Sequence, residues 1–205
     1  MARYDGLMAA ALAIMVAGCG AVQAPGADPA RDEYRRPDGH ALVRIEPIER
    51  DAPPNDQPAA VDPERMRAAL AGVHGQFQAL TPATPVFSAD ELAEIASPLA
   101  SALAKASPAE DVTFRVLGSH GLFGSYSPTT ATAGRVFVRG GKLNLIFGVV
   151  RSTYETSDHH DTSSKGAPGR RKSRVEYGWE LQGDGAQAVD RRGDWLQFDL
   201  ANLPQ

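Results

Sequence analysis

A pair of histidines in the second half of the chain is the first place where residue types indicate metal chemistry. They lie within Asp158–Asp161, which reads Asp-His-His-Asp, and imidazole and carboxylate groups are ligands that zinc and copper accept. Two adjacent histidines do not complete a tetrahedral site, so folding would have to bring in His40 or His120 as a third ligand. We therefore predict no metal site and interpret residues 151–174 as a polar loop.

The same loop carries a cluster of positive charges with no acid among them. Its members are Lys165, Arg170, Arg171, Lys172 and Arg174. In an acidic protein such a patch can meet anionic lipid headgroups, lipopolysaccharide phosphates or an acidic partner. The interpretation that we favour is a solvated loop that keeps a long hairpin soluble.

Nucleophiles and carboxylates elsewhere do not combine into a catalytic pattern. Ser119 and His120 are neighbours in sequence, where side chains rarely meet as nucleophile and base, and no nucleophile elbow surrounds the serine. Gly183–Ala188 matches the loose dinucleotide-binding pattern but lacks the helix that should follow. Glu176 and Glu180 would lie about 13 Å apart along one strand, too far for a carboxylate pair. We predict no catalytic residue and no cofactor.

A glycine-rich stretch, Gly118–Tyr126, is the best sequence candidate for a binding surface. Its three glycines surround Leu122, Phe123 and Tyr126, which indicates a flexible loop with exposed apolar groups. A loop that folds back over a sheet fits the same residues equally well. Because His120 lies in this stretch, a rival hypothesis is an enzyme or a small-ligand or anion binder with its site near His120 and the 151–174 loop.

Two helices with clear start signals are predicted upstream of these residues. Asp62 caps the first and Pro63 takes its first position, whereas Ser88 and Glu91 form a capping box for the second. Both contain apolar residues at helical spacing, Met66, Leu70, Val73 and Phe77 in the first and Leu92, Ile95, Leu99 and Leu103 in the second. Pro98 should kink or restart the second helix.

Alternating apolar residues predict antiparallel strands in the second half of the chain. The strands include Val112–Val116, Val136–Val138, Leu143–Val149, Val175–Leu181 and Trp195–Leu200, and a first edge strand is predicted at Ala41–Glu46. Gly140–Gly141 predicts a two-residue hairpin turn, because glycine adopts positive φ without steric cost. We therefore predict an α+β fold, an antiparallel meander with two N-terminal helices packed on one face.

Cys19 is the only cysteine of the chain. A single thiol excludes an internal disulfide framework, a zinc or iron–sulfur site built from several cysteines, and a redox pair. The formal net charge of −4 argues against nucleic acid as a general partner.

The residues before Cys19 resemble the lipobox of bacterial lipoprotein signal peptides. An apolar run from Leu7 to Val16 leads into Val16-Ala17-Gly18-Cys19, where small residues leave the backbone open to a membrane peptidase. The run is about half the roughly 20 residues of a transmembrane helix, and an ordinary secretory signal is the other alternative. The resemblance implies cleavage between Gly18 and Cys19, lipid on the Cys19 thiol and acylation of the new amino terminus.

The resemblance also implies a location and an order of segments. In that family an Asp after the lipidated cysteine retains the protein in the inner membrane, so Gly20 implies anchoring in outer-membrane lipid, facing the periplasm. Residues 1–18 are then the signal peptide, 19–60 a tether rich in Pro and Ala, and 61–205 a single folded domain. We expect a non-catalytic binding or scaffolding module that recruits an envelope protein through its sheet and the Gly118–Tyr126 loop.

Overall fold

The computed structural model describes residues 30–77, 82–120, 129–153, 168–172 and 178–205. The helices in these ranges are α1 (Pro63–Ala71) and α2 (Ala89–Lys105), and a 3₁₀ turn lies at Val189–Arg191. The strands are β1 (Arg31–Arg35), β2 (Ala41–Pro47), β3 (Val73–Phe77), β4 (Thr84–Pro85), β5 (Glu110–Ser119), β6 (Thr129–Arg139), β7 (Lys142–Thr153), β8 (Trp179–Gly183), β9 (Ala186–Ala188) and β10 (Trp195–Asp199).

Most of the strands form one antiparallel sheet of seven, in the order β1-β2-β5-β6-β7-β10-β9. One row of paired residues crosses the sheet from edge to edge, through Arg31, Ile45, Val112, Val136, Leu145, Leu196 and Ala188. A smaller sheet has the order β4-β3-β8. The edge strands of the large sheet are the charged β1, with a register shift at Asp32, and the short β9, and such edges resist pairing with other chains.

The predicted α+β meander with two N-terminal helices is wrong. The described chain is mostly β, with β1 and β2 before α1 and with β3 and β4 between the two helices. Val73 and Phe77 continue the helical spacing of α1, yet they lie in β3, because Gly72 ends the helix as its C-cap. The Trp179 ring packs on Gly75 so closely that a Cβ there would come within 2.8 Å. Pairing of β3 with the distant β8 decides the local structure, as tertiary contacts often do for strands.

Both predicted helix starts are confirmed. The Asp62 carboxylate accepts hydrogen bonds from the first-turn N–H groups of α1 at 2.9 and 3.0 Å, and Ser88 and Glu91 form the reciprocal capping box of α2. The predicted apolar stripe of α2 is buried and faces β2 and β5. α2 continues through Pro98 as one helix of 17 residues, so the predicted restart does not occur.

The predicted hairpin turn between β6 and β7 is confirmed. Gly140 and Gly141 have φ of 61° and 70°, the left-handed region that a two-residue turn needs. Leu196 and Phe198 of β10 are buried, as their spacing predicted. Of the predicted strand Val175–Leu181, the first part lies outside the described residues, and the rest begins β8.

The predicted edge strand at Ala41–Glu46 forms as β2 but lies inside the sheet, because β1 covers it. Its buried side chains are Ala41, Val43 and Ile45, whereas Leu42 is half-buried. Further along, Asn55, Gln57 and Ala59 are buried as well, although composition placed them in the tether. Composition misses this segment because polar contacts to the domain, such as those of Asn55, hold it in place without regular secondary structure.

Candidate binding site

A buried contact between Glu91 and His120 joins the first turn of α2 to the end of β5. Nε2 of His120 donates to Oε1 of Glu91 at 3.1 Å, and their side chains are 7% and 4% exposed. Oε2 of the same carboxylate accepts from the Ser88 backbone N–H at 2.7 Å. Gly118 makes the contact possible, because a Cβ at that position would lie 2.2 Å from Oε1 of Glu91. One carboxylate therefore caps a helix and orients an imidazole.

The environment of Glu91 favours its charged form. Burial by itself would raise the pKa of the Glu91 carboxyl, but the hydrogen bonds from His120 and from the Ser88 N–H outweigh it, so this pKa lies below its ordinary value. The side chain is thus a fixed anion at neutral pH.

Glu91 forms part of the wall of a cleft of about 320 Å³, which we call the Glu91 cleft. It lies where β1 ends, β2 begins and β5 ends, next to the first turn of α2. Its polar lining residues are Arg36, His40, Ser88, Asp90, Glu91, Glu94 and Ser119. Glu94 is also held in place, because Tyr34 Oη donates to one of its oxygens and Arg36 Nη1 to the other, the latter at 3.1 Å.

Half of a catalytic arrangement is present next to this cleft, although His120 itself is buried and is not one of the residues that line the cleft. A carboxylate that fixes one nitrogen of an imidazole is the orienting part of a general base. Within the described residues, no hydroxyl group hydrogen-bonds His120, and Ser119 is exposed on the neighbouring position. The geometry therefore provides a rigid polar wall and an oriented imidazole.

A second concavity, the Trp179 pocket, lies at the same end of the sheet. This pocket has a volume of about 390 Å³. It is lined by Phe77, Val149, Val150, Arg151, Ser152, Thr153 and Trp179. The rings of Phe77 and Trp179 are 5.4 Å apart, and Phe77 is 40% exposed. Arg151 fixes the β4 segment beside it, with hydrogen bonds to Thr84 Oγ1 at 3.1 Å and to the Val86 carbonyl at 3.4 Å.

A buried cluster around Asp111 lies on the sheet face opposite the helices, and no sequence pattern indicated it. Asp111 is fully buried and forms ion pairs with Arg135 and Arg171, while Asn55 Nδ2 donates to its Oδ1 at 2.8 Å. The Arg171 guanidinium also stacks 3.6 Å above the Phe137 ring. Arg135 is buried in this cluster, and its Nε donates to the Gly169 carbonyl of the covering segment 168–172 at 3.0 Å.

The predicted basic patch is therefore only partly available for anions. Arg171 is buried in the Asp111 cluster, and Lys172 lies 3.3 Å from the Asp51 carboxylate. Lys165 and Arg174 lie outside the described residues, as do Asp158–Asp161.

The structure places the remaining sequence candidates at different positions in the fold. His40 lines the Glu91 cleft and lies 3.7 Å from Asp38, whereas His120 contacts Glu91. The Gly183–Ala188 match covers the last residue of β8, the turn at 184–185 and all of β9, so no α-helix opens within it. Cys19, Glu176 and most of the Gly118–Tyr126 loop lie outside the described residues.

The described ranges contain neither a clustered metal site nor a helix that could span a membrane. His, Cys, Asp and Glu side chains there form no group of three or more arranged to hold a metal ion. Neither α1 nor α2 combines the length and apolarity that crossing a bilayer requires. The chain matches no protein-family model, no curated protein and no solved structure.

Proposed function

We propose that this chain is a lipid-anchored protein of the bacterial cell envelope whose domain is a non-catalytic binding module. The anchor rests on the resemblance of Val16–Cys19 to a lipobox, and the outer-membrane location rests on Gly20. The observation that carries the binding role is the Glu91 cleft.

The cleft has the properties of a prepared polar site. Its volume is within the range of small-molecule sites, and hydrogen bonds fix Glu91 and Glu94 before any ligand arrives. Fixed side chains lose little conformational entropy on binding, which favours affinity. Asp90 and Ser119 are exposed at the rim and are available to a polar ligand or to the side chains of a partner protein.

Cross-linking in intact cells, followed by a pull-down of the full chain and mass spectrometry, tests the proposal. The comparison includes the native chain, Cys19→Ala, which lacks the lipid site, and Glu91→Gln, which keeps the shape of the side chain. We expect a defined envelope partner with the native chain and its loss in both variants. Recovery of the same proteins with all three would contradict the proposal.

Glu64→Gln is the matched control for Glu91→Gln. Glu64 lies in the first turn of α1, as Glu91 lies in the first turn of α2, but Glu64 is exposed and is not one of the residues that line the cleft. Partner recovery should be unchanged by Glu64→Gln, which separates loss of the cleft from loss of any helix-terminal acid.

A specific contact, the one between Glu91 and His120, favours an envelope enzyme as the second candidate. An oriented imidazole can serve as a general base for a hydroxyl nucleophile. A fluorophosphonate probe incubated with the full chain distinguishes the two functions. Covalent labelling that disappears in His120→Gln would support the enzyme, whereas an absence of labelling supports the binding module.

A further inference from the structure

Residues 168–172, which we call the covering segment, lie on the sheet face opposite the helices and join no strand. Side chains hold their backbone. The Gly169 carbonyl accepts from Arg135 Nε at 3.0 Å, and the next two carbonyls accept from the Arg192 guanidinium at 2.8 and 2.7 Å. Among the described residues, the covering segment makes no backbone–backbone hydrogen bond. The sheet therefore binds this segment through side chains, and not by strand pairing.

Arg171 of the covering segment occupies a site that is built for a guanidinium group. Its side chain is 6% exposed and forms an ion pair with Asp111. It donates to Asn55 Oδ1 at 2.8 Å and stacks 3.6 Å from the centre of the Phe137 ring, while its backbone N–H donates to Glu49 Oε1 at 3.0 Å. A planar guanidinium can make the ion pair, the hydrogen bond and the stacking contact together, whereas the compact ammonium of lysine cannot.

The two residues before Arg171 meet opposite requirements. A Cβ at Gly169 would lie 2.5 Å from Ile146 Cγ2 and 2.7 Å from the carbonyl oxygens of Ile146 and Phe147. These carbonyls belong to β7, which lies between β6 and β10 in the sheet and cannot shift to make room. The next residue, Arg170, is exposed. The face therefore requires glycine at the first position, accepts any side chain at the second and selects arginine at the third.

The charges around the covering segment favour a basic occupant. Three carboxylates contact it, those of Glu49, Asp51 and Asp111. Arg135 contacts two of them, at Glu49 and Asp111, and Arg192 is paired with Asp194. The excess of negative charge is neutralised by the occupant, through Arg171 and Lys172.

We infer that this sheet face is a recognition site for an extended peptide of the form Gly-Xaa-Arg, and that the covering segment occupies it in cis. Hydrogen bonds to the main chain provide affinity in such sites, and a side-chain pocket provides specificity. The partner is a protein with an exposed Gly-Xaa-Arg segment, which competes with the covering segment for the face. Because the cis segment is tethered, its effective concentration is high. The inference is independent of the lipid anchor and of the Glu91 cleft.

Gly169→Ala on the full chain tests the inference, because it expels the covering segment and leaves every residue of the face unchanged. The probe is a fluorescent peptide with the sequence of residues 167–172, Ala-Pro-Gly-Arg-Arg-Lys, and fluorescence anisotropy measures its binding. We expect saturable binding to Gly169→Ala and at least several-fold weaker binding to the native chain, where the segment competes. Equal binding to both chains would overturn the occupation in cis.

Two peptides of equal charge separate recognition from attraction between opposite charges. Arg171→Lys in the peptide should weaken binding at least about tenfold, since it loses the paired and stacked guanidinium. Arg170→Lys in the peptide is the matched control and should bind like the original, because residue 170 is exposed. An equal effect of the two substitutions, or no saturable binding to folded Gly169→Ala, would overturn the inference.

Urea denaturation of Gly169→Ala shows whether the chain still folds. Arg171→Ala is the second variant, because it removes the side chain that anchors the covering segment and again leaves the face unchanged. It should bind the same peptide. Loss of cooperative unfolding in both variants would show that the segment is an inseparable part of the fold, and would overturn its role as an exchangeable occupant.

Discussion

At the scale of single residues, the side chains that organise this protein are the buried charged ones. Glu91 and Asp111 lie on different parts of the fold, and each is held by several donors. Sequence patterns identified Glu91 only as a helix cap, and they gave no role to Asp111. Local patterns encode capping, but the partners of a buried charge come from distant parts of the chain.

Asp111→Asn tests the buried cluster through stability. The substitution keeps the shape but leaves Arg135 and Arg171 buried without their shared anion, so the free energy of unfolding should fall by about 3–5 kcal/mol. Urea denaturation measures it. Asp51→Asn is the control, since its pair with Lys172 is exposed and should contribute less than about 1 kcal/mol. A similar loss in both variants would show that burial is not the cause.

Gly118→Ala tests the geometry of the Glu91 cleft. The added methyl group would occupy the position of Oε1 of Glu91, so the carboxylate must move away from His120. We expect a changed ¹⁵N chemical shift of the His120 Nε2 in an NMR spectrum, with the His74 signals unchanged as an internal reference. An unaltered His120 signal would contradict the contact.

The pH dependence of stability should contain a contribution from Glu110. Burial would raise the pKa of its carboxyl, but hydrogen bonds from Arg31 and from the Ser107 N–H outweigh burial and hold this pKa below its ordinary value of 4.5. A lowered carboxyl pKa stabilises the fold above that ordinary value, and the contribution is lost as the pH falls through the folded pKa. Unfolding measured between neutral and acidic pH should show a steeper acid loss for the native chain than for Glu110→Gln. Parallel curves would exclude this contribution.

At the scale of elements, features that depend on a few neighbouring residues could be predicted from the sequence, whereas features that depend on distant parts of the chain could not. The caps at Asp62 and Ser88 and the turn at Gly140–Gly141 each depend on a few neighbouring residues, and all three are confirmed. β3 was predicted as helix, because its apolar spacing fits both structures and only pairing with β8 decides between them.

Pro98 provides a prediction at this scale. It lies inside the uninterrupted α2, where it cannot donate the backbone hydrogen bond to the carbonyl four residues earlier. Pro98→Ala should therefore raise the free energy of unfolding by about 1–3 kcal/mol, measured by urea denaturation. Ser97→Ala, at the exposed neighbouring position, should have little effect. A loss of stability in Pro98→Ala would contradict this prediction.

At the scale of the whole molecule, the domain begins earlier than composition predicted. β1 begins at Arg31 and forms one edge of the seven-stranded sheet, so the sheet already starts within the segment that composition assigned to the tether. The Pro-rich composition could not reveal this, since residues 48–59 are held by contacts to the domain without forming a helix or strand.

The intact mass of the chain isolated from cell membranes tests the central claim most directly. We predict a mature protein that begins at Cys19 and carries a diacylglyceryl group and an amide-linked acyl chain, and we expect Cys19→Ala to lack this added mass. A membrane-isolated or soluble chain that starts at another residue, or that retains a free thiol at Cys19, would contradict it.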